Sequence, residues 1–283
     1  MRTPTHIVSA VARRRSRGAL LLAALCAGGA LLLPAQLWAE PVPVRFAEGV
    51  THGYLTLRTL DGKRLADGEL TQAARGDRVT SRIVFRFRDG SIQDETTVFS
   101  QRRTFRLLSD HLLQRGPTFP VPMEVSIDAT SGMVTVRYTE DGKEKLASEH
   151  LDLPPDLANG LIFTLLKNVP RQARRLEVSM VATAPKPRLV KLVTTPAGED
   201  AFTFGASTRH ATHYVLKVEI GGVAGVIAPL VGKQPPDVHV WVQGGTAPSF
   251  VKMQGPLYPG GPIWQIQLAS PVWPRAPAAA KKR

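Results

Sequence analysis

The residues best placed to do chemistry lie in the stretch HATH, where His210 and His213 stand three apart. On a helix that spacing brings two imidazoles to one metal ion. The surrounding run, STRHATHYVLKVEI, alternates into a strand, and residues three apart on a strand point to opposite faces. The pair is therefore not expected to chelate. His52, His111, His150 and His239 show no ligand-like spacing, and the sequence calls for no metal and no cofactor. A histidine site assembled across strands is a question for the folded chain.

Catalytic nucleophiles fare no better. FGAST, around Ser207, lacks the second glycine of the Gly-x-Ser-x-Gly elbow. Three adjacent acid pairs, Asp94-Glu95, Glu140-Asp141 and Glu199-Asp200, could suggest glycoside hydrolysis, which needs two carboxyls facing one sugar bond. Asp141 sits in a glycine turn and Glu199-Asp200 follows PAG, so both pairs read as solvated turn residues. Asp94-Glu95 lies in a strand pattern, where neighbours face opposite ways. The one cysteine, Cys26, lies in the N-terminal apolar run, which leaves the remaining chain without thiol catalysis, zinc–thiolate sites or disulfides. No catalytic residue is assigned.

What remains are aromatic and apolar side chains suited to holding a ligand. Trp241 falls on the more polar face of its strand, beside His239 and Gln243, and Tyr258 lies in the glycine- and proline-rich GPLYPGGP. Exposed aromatics near such loops can stack on sugars or hold apolar groups.

The elements that must position these residues are mostly strands. RIVFRFR sets Ile83, Phe85 and Phe87 against Arg82, Arg86 and Arg88; HYVLKVEI and DVHVWVQ alternate in the same way. Period two marks strands with one face in a core and one in water. Asp61-Gly62, Asp89-Gly90 and Asp141-Gly142 each separate two such runs and suit the tight turns of antiparallel hairpins; Gly221-Gly222 and Gly244-Gly245 are weaker signals of the same kind. GPLYPGGPIWQIQL reads as the closing hairpin, with Trp264, Ile266 and Leu268 on the core face. One segment, LPPDLANGLIFTLLKNVP, predicts a short amphipathic helix near 155–168, with Pro154 and Pro155 presetting its start, Asp156 in its first turn and Pro170 past its end. Gly160 inside it costs about 1 kcal/mol relative to Ala. The expected fold is mainly β: a large curved antiparallel sheet, a half-barrel or open barrel meander, with this helix laid on its apolar face.

The N-terminus reads as a targeting segment. Arg13, Arg14, Arg15 and Arg17 precede an uncharged run from Ala19 to Leu33, and Ala39 stands before Glu40. This is the pattern of a Sec signal peptide over residues 1–39, with an uncleaved membrane anchor as the alternative. Export to the periplasm or beyond follows, with no transmembrane span after cleavage. The formal charge of +13 overstates the basic character. Five of the 36 basic residues precede Glu40 and none of the 23 acidic ones does, which leaves +8. Arg275, Lys281, Lys282 and Arg283 carry four of those charges in a tail, 270–283, that lacks a core pattern and is expected to be disordered. The body, 40–269, then reads as a single antiparallel domain. It lacks the clustered basic face of a nucleic-acid binder.

A signal segment, an antiparallel meander, a short amphipathic helix and a late tryptophan-bearing strand pair together resemble uncharacterised secreted bacterial domains that are similar to the lipoprotein-carrier (LolA/LolB-like) half-barrel superfamily. The resemblance implies a curved half-barrel with an apolar hollow, although this chain has one helix where the carriers use several. The expected function is an envelope protein that binds a lipid or other amphiphilic ligand on the concave face of the sheet, at Phe85, Phe87, Leu161, Leu165, Trp241 and Tyr258. The alternatives are a structural module docking on another envelope component, and a secreted hydrolase whose site is assembled from distant histidines and acids.

Overall fold

The computed structural model describes residues 41–170, 172–183, 186–204, 206–219 and 235–269. The expected signal segment, the expected Gly221-Gly222 turn and the basic tail lie outside the described residues. The first half of the chain is an antiparallel meander: β1 (Thr51–Thr59), β2 (Arg64–Arg75), β3 (Arg78–Phe87), β4 (Ile92–Gln101), β5 (Phe105–Arg115), β6 (Met123–Asp128), β7 (Met133–Glu140) and β8 (Lys143–His150). After a connector bearing α1 (Ile162–Asn168) come β9 (Leu176–Ala182), β10 (Arg188–Phe204), β11 (Ser207–Glu219), β12 (Val238–Gln243), β13 (Ser249–Gly255) and β14 (Trp264–Leu268). These form a second meander, and β14 pairs antiparallel with β1 from Leu55↔Leu268 to Thr59↔Trp264. The two halves thus join into one 14-stranded antiparallel sheet, with β8 and β9 at its two ends.

The Asp-Gly signals mark real turns. Gly62, Gly90 and Gly142 take φ of 92°, 85° and 70° between β1/β2, β3/β4 and β7/β8, which is the conformation that favours glycine.

The sheet curls on itself. Val125 and Ile127 of β6 and Val134 and Val136 of β7 share one buried cluster with Val178 of β9, Leu192 of β10, Tyr214 of β11 and Val240 of β12. These strands are far apart in sheet order, so their apolar faces meet only if the sheet wraps round and leaves its opening between β8 and β9. α1 packs inside: Leu165 and Leu166, with Leu161 just before the helix, belong to the same cluster. A second cluster closes the β1–β3/β14 region with Leu57, Phe85, Phe87, Phe119, Trp264 and Ile266. Phe85 lies opposite Gly68 on β2, where a methyl group would come within 2.5 Å of the ring. Inward-facing polar residues also occur: Gln114 Nε2 donates to Gln93 Oε1 at 2.8 Å and to the Leu257 carbonyl at 2.8 Å.

The helix is shorter than the sequence pattern. It begins at Ile162 because Gly160 takes φ +65°, which ends any helical run before it. Asp156 does not cap it. Its Oδ2 accepts Ser179 N at 2.9 Å and Ser179 Oγ at 3.0 Å, tying the connector to β9. Ala158 N donates to Ser179 O at 2.9 Å. Asn159 completes the seam: its Nδ2 donates to Val181 O at 3.1 Å and its Oδ1 accepts Val181 N at 2.8 Å. The connector thereby covers the outer edge of β9, which a bare edge strand would leave unpaired.

A groove on the outer face as the candidate functional site

The pairing registers align outward-facing residues from neighbouring strands into two rows. One runs His213–Trp241–Lys252–Gln267–Thr56 across β11, β12, β13, β14 and β1. The other runs His239–Gln254–Gln265–Arg58–Arg64, from β12 to β2. A bulge after Leu57 brings Arg58 directly opposite Arg64, in keeping with the tendency of bulges to re-aim side chains.

A groove of about 710 Å³ opens over these rows, lined by Thr56, Arg58, Arg64, Asp200, Lys252 and Gln267, with Val251 and Leu268 adding apolar surface. Its size falls in the range of small-molecule sites. One wall comes from the long β10–β11 hairpin, whose residues Asp200 to Thr203 lean over the sheet. Trp241 anchors that wall. Its Nε1 donates to Asp200 Oδ2 at 2.6 Å, and it is buried. The His213 ring stacks on the indole at 4.3 Å with an interplanar angle of 4°. Lys252 Nζ lies 3.8 Å from the indole centroid, a cation–π contact that also fixes where the ammonium points. His213 Nε2 and His239 Nδ1 form a hydrogen bond of 2.9 Å.

The electrostatics of the wall follow from its burial. Loss of water pushes the Lys252 ammonium down from its ordinary pKa, against the opposing pull of Asp200. The same loss, with the neighbouring His239, pushes His213 down. On the far side, the Nε atoms of Arg58 and Arg64 and the Oγ1 of Thr56 are buried without a hydrogen-bond partner among the described residues. Arg58 Nη1 donates to Gly62 O at 3.0 Å, and Arg64 Nη2 is paired with Asp67. Three cations therefore ring a floor of neutral amides, since Gln254 Nε2 donates to Gln265 Oε1 and Gln265 Nε2 to Gln267 Oε1, both at 2.8 Å.

Of the six residues that the sequence suggests for a ligand, only Trp241 lines this groove. Phe85, Phe87, Leu161 and Leu165 are 1%, 7%, 1% and 3% exposed and are packed into the two core clusters, so none of them offers a surface to a ligand in this conformation. Tyr258 folds back on the core, edge-on to Phe119 at 5.7 Å and to Trp264 at 6.0 Å. Glu199-Asp200 proves to be strand rather than turn: the β10–β11 ladder continues past a bulge at Pro196/Gly198 to the hairpin end. His210 and His213 lie on one strand without meeting, and among the described residues no group of three histidines, cysteines or acids is arranged to hold a metal. Asp94 turns outward to Arg82, whose Nε donates at 2.8 Å, while its neighbour Glu95 faces the interior.

The arginine pair, Thr56 and the glutamine floor were missed. Each strand shows only an ordinary polar face; the order β2–β1–β14–β13–β12, which joins the chain's ends, is what assembles them.

No protein-family model and no curated protein matches the chain. Among solved structures, it is similar to a β-barrel-like protein of a domain of unknown function, DUF1849, from Brucella abortus, with 10% identity and a TM-score of 0.42 over 82% of this chain and 97% of that one. Among the described residues no helix is long and apolar enough to cross a membrane.

Proposed function

We propose that the protein is an exported binding protein of the cell envelope that holds a polar or amphiphilic small molecule in the outer-face groove. The observation that carries this reading is the convergence of unpartnered buried donors, Thr56 Oγ1, Arg58 Nε and Arg64 Nε, on one groove of ligand size. Buried polar groups left without partners cost about 1–3 kcal/mol each, and a protein keeps them most readily where something else supplies the partner. The groove has apolar surface for the body of an amphiphile and an amide floor for hydroxyls. Export is supported by the N-terminal charge and apolar pattern, and the apolar-ligand expectation moves from the inner face of the sheet to the outer. Saturation-transfer NMR against a mixture of sugars, sugar phosphates, fatty acids and amino acids tests the reading. At least one compound should bind the wild type, and filling the groove with Gln267→Trp should abolish that signal. Hits that survive the filled groove, or no hits, would refute it.

A second reading, a module that docks on another envelope component, has one observation behind it. Among the described residues the β8 end of the sheet pairs only with β7, and Leu146 on it is 62% exposed.

A further inference from the structure

Resting on the groove being the binding site, we propose that its ligand carries a phosphate group, seated between Arg58 and Arg64. The two arginines are a directly opposed cross-strand pair. Like charges in that position are unfavourable, and Asp67, paired with Arg64 alone, offsets only one of them. Among the described residues Arg58 has no carboxylate partner of its own; its contact is the Gly62 carbonyl. Each guanidinium also keeps a buried Nε with no hydrogen-bond partner among the described residues, and both arginines line the groove. Turning the two forks up around one tetrahedral phosphate group gives each Nε–Nη edge its acceptors and offsets the repulsion. This is the bidentate recognition for which arginine, rather than lysine, is suited.

The rest of the groove fits the remainder of such a molecule. Thr56 is 6% exposed, and its unpartnered Oγ1 lies one row along from Arg58. Gln265 and Gln267 present amides that donate and accept, the pattern that hydroxyls need. Asp200, the one carboxylate in the lining, is engaged by Trp241 Nε1. Lys252, held on the indole, adds a third positive charge at the opposite wall. The ligand class is therefore a phosphate ester on a hydroxylated body. Its source is either a soluble sugar phosphate or the headgroup of a glycerophospholipid.

Isothermal titration of the full chain with glucose 6-phosphate, glycerol 3-phosphate and glucose, together with flotation on phosphatidylglycerol vesicles, tests this. The expected result is binding of a soluble phosphate ester or of the vesicles, with glucose at least tenfold weaker. Arg58→Gln or Arg64→Gln should weaken binding about tenfold or more, the cost of one charge-assisted hydrogen bond. Arg58→Lys should recover only part of it, and raised salt should weaken it further. Soluble esters binding identifies the free source, and vesicles alone identify the headgroup. Urea midpoints confirm that each variant is folded. Glucose binding as tightly as its phosphate, lost in Gln267→Trp but indifferent to both arginines, would overturn the phosphate assignment and leave the groove reading intact. Absence of binding by every probe here, and by the wider mixture above, would overturn both.

Discussion

At the scale of single residues, the wall of the groove is a chain of contacts in which Asp200 has two tasks. It accepts the indole proton of Trp241 and, through space, supports the charge of Lys252, whose pKa burial depresses. Replacing Asp200 by Asn keeps an acceptor for the indole but removes the negative charge. The Lys252 pKa should then fall further, because desolvation acts without its counterweight. Amine acylation followed by mass spectrometry at pH 8 should show Lys252 reacting faster in Asp200→Asn than in the wild type. An unchanged or slower rate would mean that the carboxylate does not act on the ammonium. The sequence could place Trp241 on a polar strand face, since DVHVWVQ alternates. It could not pair Trp241 with Asp200, because PAGED reads as a turn until the bulge at Pro196/Gly198 carries the strand past it.

At the scale of elements, the connector between β8 and β9 decides how the open sheet is finished. Asn159 makes two hydrogen bonds to the Val181 backbone, as a neighbouring strand would. Asn159→Ala leaves both Val181 groups unpaired and should cost about 1–3 kcal/mol. It also bares the β9 edge at Val181, so sedimentation velocity should show self-association absent from the wild type; a monomeric variant of unchanged stability would refute this role. Gly160 is constrained more tightly. Its φ is +65°, and a Cβ there would lie 2.0 Å from Thr97 Oγ1 and 2.7 Å from Asp110 Oδ1. Gly160→Ala should lower the urea midpoint, through left-handed backbone strain of about 1–2 kcal/mol and overpacking of about 1–3 kcal/mol. A midpoint equal to the wild type would show that the turn relaxes freely. The strands and this helix were legible because period-two alternation and Asp-Gly turns are local signals. The start of the helix was not: PPDLANG has the composition of an N-terminus, and only packing against Thr97 and Asp110 sets Gly160 at positive φ.

At the scale of the whole molecule, the interior is not uniformly apolar, and this sets how stability depends on pH. Thr97 and Asp110 are cross-strand partners on β4 and β5, with Thr97 Oγ1 donating to Asp110 Oδ1 at 2.8 Å. Glu95 lies two residues from Thr97 on the same face, half-buried by area yet surrounded by protein. Burial, and then the charge of Asp110, raises the Glu95 carboxyl to about 8. Burial raises Asp110 to about 6, against the Thr97 hydrogen bond and the positive influence of His111. Both carboxyls therefore hold protons in the folded chain that the unfolded chain has released by about pH 5. Stability from this pair is fully present below their ordinary values and is lost as pH rises through about 6 and then about 8. The surface acids act in the opposite sense. Asp94, held low by its hydrogen bond to Arg82, and Asp128, held at about 2 by Thr130, contribute stability that disappears only as pH falls below the usual carboxylate range. Thermal unfolding should then be most resistant near pH 5 and should weaken towards pH 8. Glu95→Gln, which keeps the shape and removes the titration, should flatten the decline between pH 5 and 8 and raise the melting temperature at pH 8. A wild type that gains stability steadily from pH 5 to 8, or a Glu95→Gln variant with the same slope, would show that these carboxyls are ionised in the native interior.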